Sequence, residues 1–190
     1  MGNQIASDIP KNNWVDRWIP KLARPYVRLA RFDRPIGTWL VLFPCWWSLA
    51  LAVKDWSNLY PFLWLMILFA IGATIMRGAG CCLNDIFDRD FDANVARTKD
   101  RPIPAGHVSV TQATIYMISL SVLGFGILVQ FNHFAIWLGI SSLILVLIYP
   151  ITKRFTHWPQ LFLGLTFNWG ALLGWATIRG EIDLAPIMLY

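Results

Sequence analysis

Long uncharged stretches separated by short charged ones set the pattern of this chain. No Asp, Glu, Lys or Arg falls between Pro35 and Val53, Trp56 and Met76, Val108 and Thr152, or Phe155 and Ile178. A helix on the surface of a water-soluble protein keeps a polar face and meets a charge about once per turn. Crossing hydrocarbon takes about 17–25 mostly apolar residues. Each run reaches that length, and the longest holds two crossings, divided at Asn132 and His133. The pattern predicts spans over about residues 36–53, 59–83, 109–130, 133–149 and 161–178, with a sixth apolar stretch starting near Leu184. Pro44 predicts a kink in the first span, and Pro150 the end of the fourth. The expected fold class is an all-α membrane protein, a multi-span transmembrane helical bundle with five full spans and the start of a sixth.

Composition sharpens that picture. Of the 190 residues, 56% are hydrophobic and only 14% charged, against roughly 25% charged in an average soluble domain. The net charge of +5 would suggest nucleic acid in a soluble protein. Here the cations lie between apolar spans, which points to membrane topology and anionic lipid and to no nucleic-acid partner. Lys11, Arg17, Lys21, Arg24, Arg28, Arg31 and Arg34 precede the first span; Arg89, Arg97, Lys99 and Arg101 follow the second; Lys153 and Arg154 follow the fourth. The intervening loops hold only Lys54 and Arg179. The positive-inside rule therefore predicts residues 1–35 as a cytoplasmic basic segment and residues 36–190 as the membrane domain, with both basic loops also cytoplasmic. Cys45, Cys81 and Cys82 show no zinc spacing and no even-numbered disulfide framework, so they are expected to pack as small apolar residues.

The candidate chemistry lies directly after the second span, in Asn84-Asp85-Ile86-Phe87-Asp88-Arg89-Asp90-Phe91-Asp92. If the helix continues, Asn84, Asp85, Asp88 and Asp92 gather on one side of about two turns. Like charges at that spacing repel, and a hard divalent cation would offset the repulsion. Magnesium commonly takes one or two carboxylates and fills its remaining positions with substrate phosphate oxygens and water. A calcium loop does not fit: its glycine position holds Ala93 and its closing glutamate position Lys99. A solvated charged loop is the competing reading, and the helical spacing against a span favours a magnesium–diphosphate site. Arg97, Lys99, Arg101, Lys153 and Arg154 lie on the same predicted side and suit a diphosphate that departs as an anion.

Two polar groups lie inside predicted spans. An arginine there costs roughly 2.5–3.5 kcal/mol on insertion scales, so Arg77 is a candidate substrate-binding group, with snorkelling to the interface as the alternative. The small residues Gly78, Ala79 and Gly80 behind it permit close helix packing. Asn168, in the fifth span, is a candidate for bonding a neighbouring helix or a ligand.

Four stretches together resemble the UbiA superfamily of membrane prenyltransferases, and within it the 4-hydroxybenzoate polyprenyltransferases of ubiquinone synthesis. They are Arg31–Leu40 with Phe43-Pro44, Arg77–Asp92 with its NDxxDxxxD motif, Arg97–Gly106, and Tyr149–Gln160. The resemblance covers nearly all of the chain after about residue 25. It implies transfer of a polyprenyl group from polyprenyl diphosphate to the ring carbon ortho to the hydroxyl of 4-hydroxybenzoate, with Mg²⁺ as cofactor and the lipid bilayer as setting. It further implies that Asn84 and Asp88 coordinate magnesium, with Asp85 and Asp92 in support. Lys153 and Arg154 would neutralise the leaving diphosphate, with Lys99 or Arg101 assisting, and Arg34 would hold the benzoate carboxylate. A second aspartate motif is expected after a sixth helix, beyond Tyr190, so the chain is expected to hold the N-terminal two-thirds or so of such an enzyme. The alternatives are another acceptor (homogentisate, a naphthoate or a haem vinyl group) and a non-enzymatic cation transporter. A transporter should bury its acids at mid-span, whereas these lie at a span end. With no transit peptide evident in the first 34 residues, the expected location is a bacterial inner membrane.

Overall fold

The computed structural model describes residues 7–10, 12–152, 156 and 158–190. Its elements are all helical: α1 (Trp14–Trp18), α2 (Arg24–Leu29), α3 (Ile36–Ala52), α4 (Tyr60–Asn94), α5 (Val110–Leu128), α6 (His133–Thr152), α7 (Pro159–Arg179) and α8 (Leu184–Leu189). Four of them, α4 to α7, are long and apolar enough to cross a membrane, and the apolar α3 has 17 residues, the lower limit for a crossing. All five expected spans are thus helices, four of them within a few residues of their expected bounds at both ends, and the sixth apolar stretch forms α8.

Two local features differ from the sequence expectation. Pro150 lies inside α6, which runs on to Thr152. A proline so near the end of a helix forfeits a single backbone bond, and the Thr152 hydroxyl donates to the Tyr149 carbonyl at 2.8 Å there. The second span does not stop near residue 83. At 35 residues, α4 measures about 50 Å at 1.5 Å per residue, more than the roughly 30 Å hydrocarbon core, and its final turns carry the acidic segment.

The chain forms two compact units, to both of which α4 and α5 contribute: the described residues up to Pro35 with Met76–Val122, and Ile36–Ile75 with Leu123–Tyr190. The second unit is apolar. Leu42, Cys45, Leu49, Phe69 and Ala73 form its buried core, and the Phe69 ring stacks on Phe131 at 5.0 Å. Gly170 and Gly174 bring α7 against the α3 backbone. A Cβ on Gly174 would lie 2.4 Å from the Cys45 carbonyl oxygen, and one on Gly170 2.4 Å from the Cys45 sulfur. Small residues four apart permit such an approach, and van der Waals contact between backbones then holds the pair. The turn expected at Asn132 also fastens this unit. Its Oδ1 accepts from the Ala135 N–H at 2.9 Å, while its Nδ2 donates to the Ala176 and Thr177 carbonyls at 2.7 and 2.9 Å.

The first unit holds most of the charged groups. Gly78 of α4 faces the segment after α2, where an added Cβ would meet the Phe32 ring at 3.0 Å and the Ala30 Cβ at 3.2 Å. The Tyr26 and Tyr116 rings meet edge to face at 5.3 Å. These contacts bring the end of α2 to the middle of α4, and Tyr26 of α2 to α5.

Candidate functional site

The site starts from how α2 ends. Arg31 follows the helix with φ +55°, a left-handed conformation usually left to glycine. Its N–H bonds the Arg28 carbonyl at 3.1 Å and the Phe32 N–H bonds the Val27 carbonyl at 3.0 Å. This is the paired bonding of a Schellman cap. Left-handed backbone costs a non-glycine residue about 1–2 kcal/mol, and a tertiary contact offsets it. Arg31 Nη2 donates to Asp85 Oδ1 at 2.7 Å, and the Asp85 side chain is only 2% exposed.

Asp85 shares that oxygen with Arg101, whose Nη1 lies at 3.3 Å. The same Nη1 donates to Asp92 Oδ2 at 2.7 Å. Arg101 reaches inward from the segment after α4, which folds into consecutive turns. The Thr98 hydroxyl donates to the Asp92 carbonyl at 3.0 Å, the Arg101 N–H bonds the Thr98 carbonyl at 3.0 Å, and Gly106 supplies the φ of +73° that the last turn requires. The far edge of Arg101 meets Asp8: its Nε and Nη2 both donate to Asp8 Oδ2, at 3.0 and 2.8 Å. Arg34 Nη1 donates to Asp8 Oδ1 at 3.0 Å and also to the Asp8 carbonyl. Burial alone would raise the Asp8 pKa. The hydrogen bond and charge of Arg101, with the charges of Arg34 and Arg31, outweigh it and hold the carboxyl below its ordinary value of 3.8. Burial would likewise lower Arg31 and Arg101, but the facing carboxylates, Asp85 foremost, raise both.

The acidic segment therefore presents two rows. Asp85 and Asp92, seven residues apart, are buried and bonded to arginine. Asn84 and Asp88, four apart, form a neighbouring row and are half-buried. At about 100° of turn per residue all four lie within one arc of about 100°, so it is the arginine contacts and burial that divide them. Among the described residues, no group of three or more His, Cys, Asp or Glu could hold a metal ion by itself. An amide and a carboxylate on one stripe still suit magnesium, which completes its shell with water and phosphate.

The other candidates are placed as follows. Lys99 is exposed. Arg77 lies half-buried in α4 and donates to the Cys81 sulfur one turn on. Asn168 is half-buried in the middle of α7 and belongs to the other unit. Lys153 and Arg154 lie outside the described residues. All three cysteines are free and buried. Sequence reasoning passed over Asp8 and Arg31. A signal for Asp8 existed: it and Asp16 are the only acids in the first 32 residues, and each is held by arginine, Asp16 by Arg28 at 2.6 Å.

An asparagine–aspartate stripe beside a buried arginine–carboxylate network, at the end of a long apolar helix, narrows the comparison to known families. The profile of the UbiA prenyltransferase family matches residues 41–190. The chain belongs to that family. Its curated relatives include 4-hydroxybenzoate polyprenyltransferases named as mitochondrial. That of Aedes aegypti is 48% identical over 189 residues, 96% of this chain and 42% of the relative. That of Homo sapiens is 49% identical, covering 86% of this chain and 44% of the relative. That of Caenorhabditis elegans is 46% identical, covering 98% of this chain and 52% of the relative. The chain thus spans about half the length of these relatives, less than the two-thirds expected. Among solved structures, a UbiA homolog from Aeropyrum pernix K1 superposes with a TM-score of 0.66 at 26% identity, over 82% of this chain and 56% of that one. A homolog from Archaeoglobus fulgidus bound to GPP and Mg²⁺ gives a TM-score of 0.63 at 18% identity, over 84% and 56%, and shows the fold.

The relatives correct the expected location. Enzymes this similar, from insect, human and nematode, are mitochondrial, which overturns a bacterial inner membrane. The charge bias between loops orients spans without naming the compartment, and where this chain begins carries no information about a targeting segment.

Proposed function

We propose that the full-length protein transfers a polyprenyl group from polyprenyl diphosphate to the carbon ortho to the hydroxyl of 4-hydroxybenzoate, in ubiquinone synthesis and in a mitochondrial membrane. The observation that carries this reading is identity of 46–50% to named 4-hydroxybenzoate polyprenyltransferases over 86–98% of this chain. The residues suit the task. Asn84 and Asp88 would hold Mg²⁺, with Asp85 and Asp92 supporting them. When bound, the metal would neutralise charge on the diphosphate as the allylic C–O bond breaks.

Every other demand falls on protein groups. Lys153, Arg154 and Lys99 would bind the departing diphosphate, which leaves with the C–O electron pair. Arg77 and Asn168 would each contribute to substrate binding. Arg34 would orient the acceptor through its carboxylate, matching a planar fork to a planar anion. The ring carbon then forms the new C–C bond, and loss of its proton restores aromaticity. Asp85 and Asp92 hold Arg31 and Arg101 against α4, which fixes the end of the helix that carries Asn84 and Asp88.

The test is prenylation by membranes containing the full-length protein, supplied with labelled 4-hydroxybenzoate, polyprenyl diphosphate and Mg²⁺. A prenylated hydroxybenzoate is expected, and Asp88→Ala should abolish it while membrane insertion persists. Product with homogentisate or a naphthoate and none with 4-hydroxybenzoate would overturn the acceptor. Full turnover by Asp88→Ala would remove the metal role.

A further inference from the structure

The fork formed by Arg34 and Arg101 already holds a carboxylate, that of Asp8. Each oxygen is bonded: Oδ1 to Arg34 Nη1 at 3.0 Å, Oδ2 to Arg101 Nε and Nη2 at 3.0 and 2.8 Å. Two donors from the side edge of one guanidinium and one from a second are the geometry of a bound carboxylate ligand. Arg101 is anchored without Asp8, because its Nη1 is fixed to Asp85 and Asp92. Its Nε–Nη2 edge would therefore face the same position with the acid gone.

The segment that brings the acid is held chiefly through that acid. Residues 7–10 belong to no helix. The ties of Asp8 beyond its own neighbourhood are these bonds to Arg34 and Arg101 and one backbone bond, from its N–H to the Arg97 carbonyl at 2.9 Å. Ile9 adds a buried side chain, and its N–H donates to the neighbouring Ser7 hydroxyl oxygen at 3.3 Å. A short segment outside any helix, tied chiefly through one carboxylate, is of the kind that opens locally once that carboxylate is displaced. Exchange of one carboxylate for another leaves the charge of the arginine cluster unchanged, so a competing carboxylate meets no electrostatic penalty.

We propose that residues 7–10 form an autoinhibitory strap, in which Asp8 occupies the Arg34–Arg101 fork as a stand-in for the acceptor carboxylate and an aromatic carboxylate displaces it. This rests on the proposed reading of Arg34 as the acceptor's anchor. Apparent acceptor affinity is then the intrinsic affinity multiplied by the fraction of time the fork is open. The prenyl diphosphate, held by other groups, is unaffected.

The test compares the full-length protein with its Asp8→Asn variant, which keeps shape and removes charge. The KM for 4-hydroxybenzoate should fall between about three- and tenfold, as for a fork open a third to a tenth of the time, with the KM for polyprenyl diphosphate unchanged. A purely structural tie predicts an unchanged or raised acceptor KM, and that result overturns the strap. A second measurement needs no turnover: amide exchange at Asp8 and Ile9 with benzoate, which carries the carboxylate but no phenol. Benzoate should speed exchange at both amides in the wild type, and benzamide should not. Equal exchange with and without benzoate overturns the proposal. If the protein prenylates no 4-hydroxybenzoate at all, the functional reading fails, and the benzoate experiment still decides the strap.

Discussion

The two units of this chain are held together by opposite physics. In the first, Asp8, Arg31, Arg34, Asp85, Asp92 and Arg101 join segments up to 93 residues apart through charge-assisted hydrogen bonds. In the second, α3 and α7 meet through Gly170 and Gly174 with no charge involved. A buried ion-pair network gives little net stability, because desolvation of the charges consumes most of their attraction. Its effect is geometric, since it fixes which arginines Asp85 and Asp92 of α4 engage. Glycine-mediated packing does the reverse, giving tight contact with no chemical group to spare. The difference teaches that one unit of this fold is specified by charge pairing and the other by shape.

The comparison can be broken most severely at Arg31. Arg31→Ala strands the buried Asp85 carboxylate and should destabilise the first unit by about 3–5 kcal/mol, the usual loss when one partner of a buried pair is removed. Thermal denaturation of the detergent-solubilised protein reads this, and a change under 1 kcal/mol would show the pair to be solvated. Arg31→Lys should recover only part, because an ammonium lacks the planar fork.

Gly174→Ala probes the other mechanism. Its Cβ would lie 2.4 Å from a backbone oxygen, which cannot rotate away, so a loss of about 1–3 kcal/mol is expected from overpacking. Gly139→Ala is the control. There a Cβ would meet the Leu128 side chain at 2.6 Å, whose methyl groups can turn aside, and the loss should stay below about 1 kcal/mol. Equal losses for the two glycines would mean that backbone approach is not what holds α3 to α7. High salt should leave both variants unmoved, since neither touches a charge.

The smallest effect concerns pH. The Asp8 carboxyl is held below its ordinary 3.8, so its ties contribute fully above that value and are lost as pH falls through the depressed one. Amide exchange at Asp8 and Ile9 should be flat between pH 5 and 8 after correction for intrinsic rates, and should accelerate only in acid below the usual carboxylate range. Opening near neutral pH would show that the strap is not held by a depressed carboxylate.

How much of this was legible beforehand differs between the spans and the site. Span positions were readable because apolar length is counted along one dimension, and the bilayer sets the length required. The turn at Asn132 was readable as the break in a neutral run, but its bonds to Ala176 and Thr177 were not, since their carbonyls lie more than 40 residues away. The acidic segment was visible as a helical cluster. Its division into an arginine-bound row and a half-buried row was not, because spacing alone placed all four side chains on one side. Gly170 and Gly174 carried a readable spacing that was passed over.

By itself, the sequence determined an all-helical membrane protein with its acids gathered at one end of a long helix. Those properties follow from local composition, from periodicity and from the thickness of the solvent the chain occupies. Only the tertiary structure decided which partner each charge takes. Asp85 and Asp88 are three residues apart, yet one is 2% exposed and bonded to two arginines while the other is half-buried. That choice depends on where the ends of other segments arrive, and guanidinium groups brought from positions 31 and 101 make it.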